Sequence, residues 1–440
     1  MEQKLNVCLL NDSFPPLIDG VATCVHNYAK AIHTLHGNAI VCTPSFPTAV
    51  DAYPFPVIRY PSFRVTKMLS GYRAGYPFSP KLIDSLVKEN IDIIHSHCPF
   101  SSGVVARVLR EKIDKPLITT YHTKFDYEID RLFTSKSMIS IATKFFIGNI
   151  QTSDEVWSVS QGAAENLRQL GYQGDVQIIE NGVDFPQGSA TKEQLAALNK
   201  KHGLKEDDTV FLFIGRMIWY KGIKVMLDGL QKLKAQGKKF KMIFVGDGHD
   251  RSEIMQYATQ CALNDHCIFT GVVQEREMLR VYFSRANLFL FPSDFDTNGI
   301  VVREAAACGT ASMVLRDSCA SEGITDYQNG ILIEKTPEMV AKIASHVCDD
   351  HALFRNIGQN AMNEIYLSWD EATARAYARY QIVLEKYKKE HHVRKGFVNG
   401  EDFFKLISFF YREQGRTARF ASSLKKKLRN KKFRLKKRNK

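Results

Sequence analysis

Long apolar runs are missing from this sequence. Nowhere in its 440 residues does a stretch approach the ~20 apolar residues that cross a bilayer. The opening MEQKLNVCLLNDSFPP passes straight into strand-like sequence, with neither a cleavage site nor a lengthy apolar core, so the protein is expected on the cytosolic side of any membrane. Cysteine occurs nine times but never as CxxC or at metal-finger spacing, which argues against a disulfide framework and leaves reduced core thiols. No G-x-G-x-x-G and no P-loop is present. Acid is absent from one place: residues 421–440 hold eleven Lys or Arg and no Asp or Glu, and without them the formal charge of +13 drops to +2 over the other 420 residues. The base is a tail on a nearly neutral body, so no specific nucleic-acid partner is expected.

What is there is globular. Hydrophobic residues make up 44% of the chain, and its length exceeds what one ordinary core organises. Short apolar runs alternate with amphipathic stretches, the pattern of βαβ units around parallel sheets. Strand candidates in the first half are residues 5–10, 39–43, 91–95, 117–121, 155–159 and 176–179. In the second half they are 210–214, 241–245, 267–270, 287–291, 311–315 and 330–333. The polar run after ENGVD (Glu180 to Asp184) marks the crossing between them. The expectation is an α/β protein with two doubly wound, Rossmann-like domains facing a cleft, at residues 1–190 and 191–365. A helix over 366–390, capped by Ser368 with Glu371 three residues on, is expected to return to the first domain, and an aromatic and basic tail fills 391–440.

Polar residues gather where strands end. The stretch FPSDFDTNGIVVREAAACG, Phe291 to Gly309, reads as a strand end, a polar loop and a helix that Thr297 or Asn298 caps and Gly309 stops. Asp296 and Glu304 are eight residues apart, two turns and one face. They either bracket a ligand at a positive helix end, or are a cap and a solvated surface charge. GRMIWYKG places Arg216 and Lys221 in a Gly-bounded loop, a fork and a point charge suited to a diphosphate, or else two surface bases. Gly246 in GDG and Gly271 in FTG end the next two strands as close-approach loops. Gly20 lies in the loop after the first strand, where it lets backbone approach a phosphate or is a plain turn glycine. HSHCPFSSG (His95 to Gly103) and TTYHTKFD (Thr119 to Asp126) are polar strand ends of the first half. His95, His97 and Cys98 lack a further ligand at metal spacing, so no metal is expected. His122 is either a hydrogen-bonded structural residue or a group facing the cleft.

Taken in order, the Gly20 loop, HSHCPFSSG, YHT, VSQGAAENL, IENGVD, GRMIWYKG, VGDG, FTG and the 291–309 stretch resemble glycosyltransferase family 4 over residues 4–388. These are retaining enzymes of the GT-B fold that use a nucleotide-activated sugar. HSHCPFSSG followed by TTYHTKFDYEIDRL is similar to members that glucosylate diacylglycerol and, more distantly, to phosphatidylinositol mannosyltransferases. The resemblance implies that Arg216 and Lys221 hold the donor diphosphate and that Glu304 binds the ribose. Asp296 takes the place of the first Glu of the family's E-x7-E pair, contacting the transferred sugar with the backbone amides of Asn298, Gly299 and Ile300. The substitution shortens that side chain by one methylene. His122 matches the histidine beside sugar and acceptor. Gly20 matches a glycine near the phosphates, although the usual Gly-Gly is Asp19-Gly20 here. The catalytic expectation falls on His122, Asp296, Arg216 and Lys221, with no obligatory metal or cofactor. The implied activity is hexosyl transfer, glucose from UDP-glucose, to a membrane lipid such as diacylglycerol. Glycan assembly at the cell surface, and a non-catalytic GT-B binding protein, remain the alternatives.

The tail bears on the acceptor. Phe403, Phe404, Leu406, Ile407, Phe409, Phe410 and Tyr411 precede the basic run, an order that suits seating at an anionic membrane surface at ~1 kcal/mol per basic residue. A peripheral position on the inner face of the membrane is the expectation. A solubilising tail and non-specific RNA contact stay open.

Overall fold

A computed structural model describes residues 4–17, 19–64, 72–125, 129 and 135–389. The basic tail, the aromatic run before it and Asp126 lie outside the described residues. The first half forms a seven-stranded sheet from β1 (Asn6–Leu10), β2 (Asn38–Pro44), β3 (Val57–Tyr60), β6 (Ile93–Ser96), β7 (Leu117–Tyr121), β8 (Glu155–Ser158) and β9 (Val176–Ile178). A separate antiparallel hairpin joins β4 (Ser62–Arg64) to β5 (Arg73–Gly75). The second half forms a six-stranded sheet from β10 (Val210–Ile214), β11 (Lys241–Val245), β12 (Cys267–Gly271), β13 (Leu288–Phe291), β14 (Ser312–Leu315) and β15 (Ile331–Ile333).

Both large sheets are parallel, and their orders are β3-β2-β1-β6-β7-β8-β9 and β12-β11-β10-β13-β14-β15. Each order reverses once, between β1 and β6 and between β10 and β13. In an open α/β sheet the crevice beyond the strand ends at such a reversal is where ligands bind. Strands buried on both faces read as continuous apolar runs: VFLFI of β10 and LFLF of β13 are buried almost throughout. Three strands have no counterpart in the sequence reading. β3 is a four-residue edge strand between Pro56 and Pro61, and β4 and β5 are three residues each, too short to show a period.

The chain crosses between the halves twice, and the crossings touch. Val183 bridges to Ser368, and its N–H donates to the Leu367 carbonyl at 2.9 Å. The last described helix, Trp369–Lys389, begins where Ser368 Oγ accepts from Glu371 N at 3.1 Å. Its Trp369, Ala372, Ala376, Tyr377 and Tyr380 are buried in one cluster with Leu5, Val7, Val25 and Tyr28 of the first half. Tyr377 Oη accepts from Leu5 N at 2.7 Å, and Arg379 makes a two-pronged contact to Glu155.

The helix after β13 corrects the sequence reading. It spans Ile300–Ala307, and its N-cap is Gly299 at φ +60°, which has no side chain to cap with. Thr297 and Asn298 serve the other half instead. The Thr297 carbonyl accepts from Ser160 Oγ at 2.5 Å, and the Asn298 amide donates to the Val159 carbonyl. Asp296 therefore stands in the loop, and it does not share a helix face with Glu304. Gly309, at φ +72°, does stand just past the helix end.

Candidate active site

The loops that follow β10 and β13 meet at the reversal of the second sheet. Gly222, at φ +77°, caps the Ile223–Ala235 helix, and a Cβ there would sit 2.1 Å from the Pro292 carbonyl oxygen. Only glycine lets the two loops close on each other. Gly246, at φ +134°, lies so near Gly215 that a Cβ would meet its carbonyl at 2.0 Å. Gly271 ends β12 at φ +75° with open space around it, and Gly20 is the first residue of the Gly20–Ala31 helix, also with open space. The N-cap of that helix is Asp19, whose carboxylate accepts from Ala22 N at 2.7 Å.

Lys221 and Asp296 come together. The ammonium of buried Lys221 lies 2.5 Å from Asp296 Oδ1, with the Phe291 and Tyr220 rings at 5.5 and 5.8 Å. Arg216 is exposed, and its guanidinium donates to Tyr220 Oη at 2.9 Å. The two bases of GRMIWYKG are thus unlike: one is buried and held in an ion pair with part-buried Asp296, and the other stands at the rim. In the adjoining loop Ser293 Oγ, Asp296 Oδ2 and Asn298 Oδ1 are buried without a protein partner. Unpaired buried polar atoms are costly, and three in one loop leave room for a polyhydroxylic guest.

Glu304 is buried rather than a solvated surface charge, and Arg276 pairs with it at 2.6 Å. Burial pushes its carboxyl above the ordinary range, against the pull of Arg276. Arg276 also lies 3.6 Å from Asp184 and stacks over Phe185 at 4.3 Å. The sequence reading passed over Arg276, since one arginine in an amphipathic helix carries no motif. Its only sequence-level hint is that ENGVD ends in an acid.

Across the cleft, His122 follows β7 and is buried. Its Nε2 lies 2.9 Å from Nδ1 of His97, which follows β6. His95 hydrogen-bonds Tyr380 Oη and Thr120 Oγ1, both at 2.6 Å. Burial drives the three imidazoles down, His122 to about 3, so all are neutral near pH 7. Cys24, His97 and His122 form one group with ligand atoms within 4.8 Å of one another. The two histidines bond each other through one nitrogen each, and the Cys24 thiol donates to Asn181 Oδ1 at 3.3 Å. Cys98 lies outside this group, and Asp12 ties the start of the Ser101–Ile113 helix by accepting from Ser102 N at 3.0 Å.

The halves also touch beside this site. Glu322 of the second half accepts from the N–H groups of Gln161 and Gly162 at 2.7 Å each, holding the start of the Gln161–Gln169 helix of the first. One arrangement thus gathers Lys221, Asp296, Asn298, Gly299 and Ile300, with Glu304 and Arg276 farther along. His122 and Gly20 belong to the opposite wall.

Residues 18–186 match the family described as Glycosyltransferase Family 4, and residues 196–364 match Glycosyl transferases group 1. An alpha-monoglucosyldiacylglycerol synthase of Acholeplasma laidlawii is 25% identical over 370 residues, covering 81% of this chain and 92% of that protein. One from Streptococcus pneumoniae is 23% identical over 336 residues, covering 74% and 75%. The structure of Anabaena Alr3699/HepE with UDP and glucose superposes with a TM-score of 0.67 at 18% identity, over 86% of this chain and all of that one. With two parallel-sheet halves, a site at the reversal of strand order and both family domains in sequence, the chain belongs to the family 4 glycosyltransferases of GT-B fold and is a hexosyltransferase that draws its sugar from a nucleotide donor.

Proposed function

We propose that this enzyme moves glucose from UDP-glucose to a membrane lipid such as diacylglycerol, retaining the anomeric configuration. The observation that carries the reading is the Lys221–Asp296 pair at 2.5 Å, beside the start of the Ile300–Ala307 helix. As the bond from anomeric carbon to phosphate breaks, negative charge grows on the diphosphate. Lys221, Arg216 at the rim and the backbone amides at the start of that helix supply fixed positive charge to it. Asp296, held through one oxygen by Lys221, offers the other to a sugar hydroxyl together with Asn298 Oδ1. Glu304 takes the ribose, oriented by Arg276. Asp296 so engaged is a binding group rather than a nucleophile, which fits a front-face route. In that route the acceptor oxygen bonds the anomeric carbon as the phosphate leaves, and the acceptor proton passes to the departing phosphate oxygen.

The lipid acceptor is supported by the two glucosyldiacylglycerol synthases among the relatives and by the basic tail. Among the described residues no helix is long and apolar enough to cross a membrane, so surface attachment would fall to the tail. The test is a hydrolysis screen of the full-length protein across nucleotide sugars, then the preferred donor with a lipid extract. UDP-glucose turnover and a glucosylated neutral lipid are the expected results. K221A should lower kcat/KM at least about 100-fold, as losing a fixed transition-state charge does. Turnover of no nucleotide sugar, or transfer confined to soluble glycans, would reject the proposal.

A further inference from the structure

His97 sits where a buried imidazole has unequal choices. Its Nδ1 is 2.9 Å from His122 Nε2, while its own Nε2 is buried with no partner. A proton on Nε2 would leave a buried N–H donating to nothing. A proton on Nδ1 leaves only a bare lone pair, and orphaned buried donors are the rarer and costlier case. The second choice lets His97 donate to His122 Nε2, and a neutral His122 must then carry its own proton on Nδ1.

We propose that His97 is a positioning residue that fixes His122 as the Nδ1–H tautomer, so that His122 offers the bound sugar a hydrogen-bond donor and cannot act as a base. The role at the sugar rests on the function proposed above; the tautomer does not. The setting favours neutral rings. The titratable groups packed around the pair are Cys24 and Tyr28 of the Gly20–Ala31 helix and His95 of β6, with Tyr380 of the Trp369–Lys389 helix bonded to His95 behind it, and burial pushes each toward its neutral form. The Tyr28 and His95 rings hold His97 from two sides at 5.4 and 4.0 Å. A donor-only His122 also explains why the acceptor proton must go to the departing phosphate: no lone pair of His122 is left to take it.

Long-range proton–nitrogen spectra of the full-length protein labelled with [15N]histidine test this, with the His122 ring assigned by difference from H122N. The expected result is an Nδ1–H pattern for His122 that does not titrate between pH 8 and pH 6, around the ordinary histidine value. H97F keeps a ring and loses the donor, so the pattern should change and kcat should fall about tenfold with donor KM little altered. H97N returns an N–H near the position of Nδ1 and should restore both. An Nε2–H pattern in the unaltered protein, or an unchanged pattern in H97F, overturns the proposal. Should H97F not fold, the unaltered protein's spectrum decides alone. A tautomer that follows H97F and H97N while kcat does not would uphold the positioning and reject the sugar-facing role of His122.

Discussion

Glu304, to which we assign the ribose, is a liability to the empty fold. Its carboxyl is raised by burial despite Arg276 at 2.6 Å, so the folded protein holds that proton more tightly than the unfolded chain. Stability from this group is therefore lost as pH rises through the carboxylate range, and at neutral pH the ionised side chain is a net cost. E304Q is expected to leave the thermal midpoint of the free protein at pH 7 unchanged or higher. It should raise donor KM about 10-fold or more, the scale of a lost charged hydrogen bond. A lower midpoint with unchanged KM would make Glu304 a structural residue. The sequence pointed to Glu304 through its resemblance and through a helix face shared with Asp296 that does not form, and it did not point to Arg276, because their pairing spans 28 residues and forms only through the packing of two helices.

At the level of elements, the ends of β6 and β7 stack three histidines against the helix that closes the first half, through the 2.6 Å bond from His95 to Tyr380. All three have pKa values pushed below the ordinary 6.5. As pH falls past that value the unfolded chain takes up protons that the folded chain refuses, at a slope approaching about 1.4 kcal/mol per pH unit for each group. The stability these groups contribute is present above pH 6.5 and lost below it. Thermal melts from pH 8 to 5 should show a midpoint that drops once the ordinary histidine range is entered; a flat midpoint down to pH 5 would mean the imidazoles are solvated or already charged. Strands were the most legible elements: β7, β10 and β11 occupy the residues their apolar runs predict. The helix start after β13 was misread because Thr297 and Asn298 look like caps, and nothing local tells that their hydrogen bonds go to Val159 and Ser160 in the other half.

For the whole molecule, alternation of strand and helix made the two-sheet architecture readable. The contacts between halves were not, since a carboxylate such as Glu322 reaches backbone 160 residues away with no periodic trace. The tail belongs to this scale too. Liposome sedimentation with the full chain and with a version ending at residue 390 should show anionic vesicles retaining the first and releasing the second, more so as salt falls; equal retention of both would remove the tail from the attachment. The double crossing has a mechanical consequence. Because the segments near Val183 and Ser368 run side by side, they form a narrow strap, and the softest rotation between the halves is about that strap. The Trp369–Lys389 helix is built into the first half, so whatever grips the chain beyond Lys389 grips that half alone. The second half would then swing while its partner stays moored, and labels on the two halves would report an opening angle rather than a tumbling of the whole enzyme.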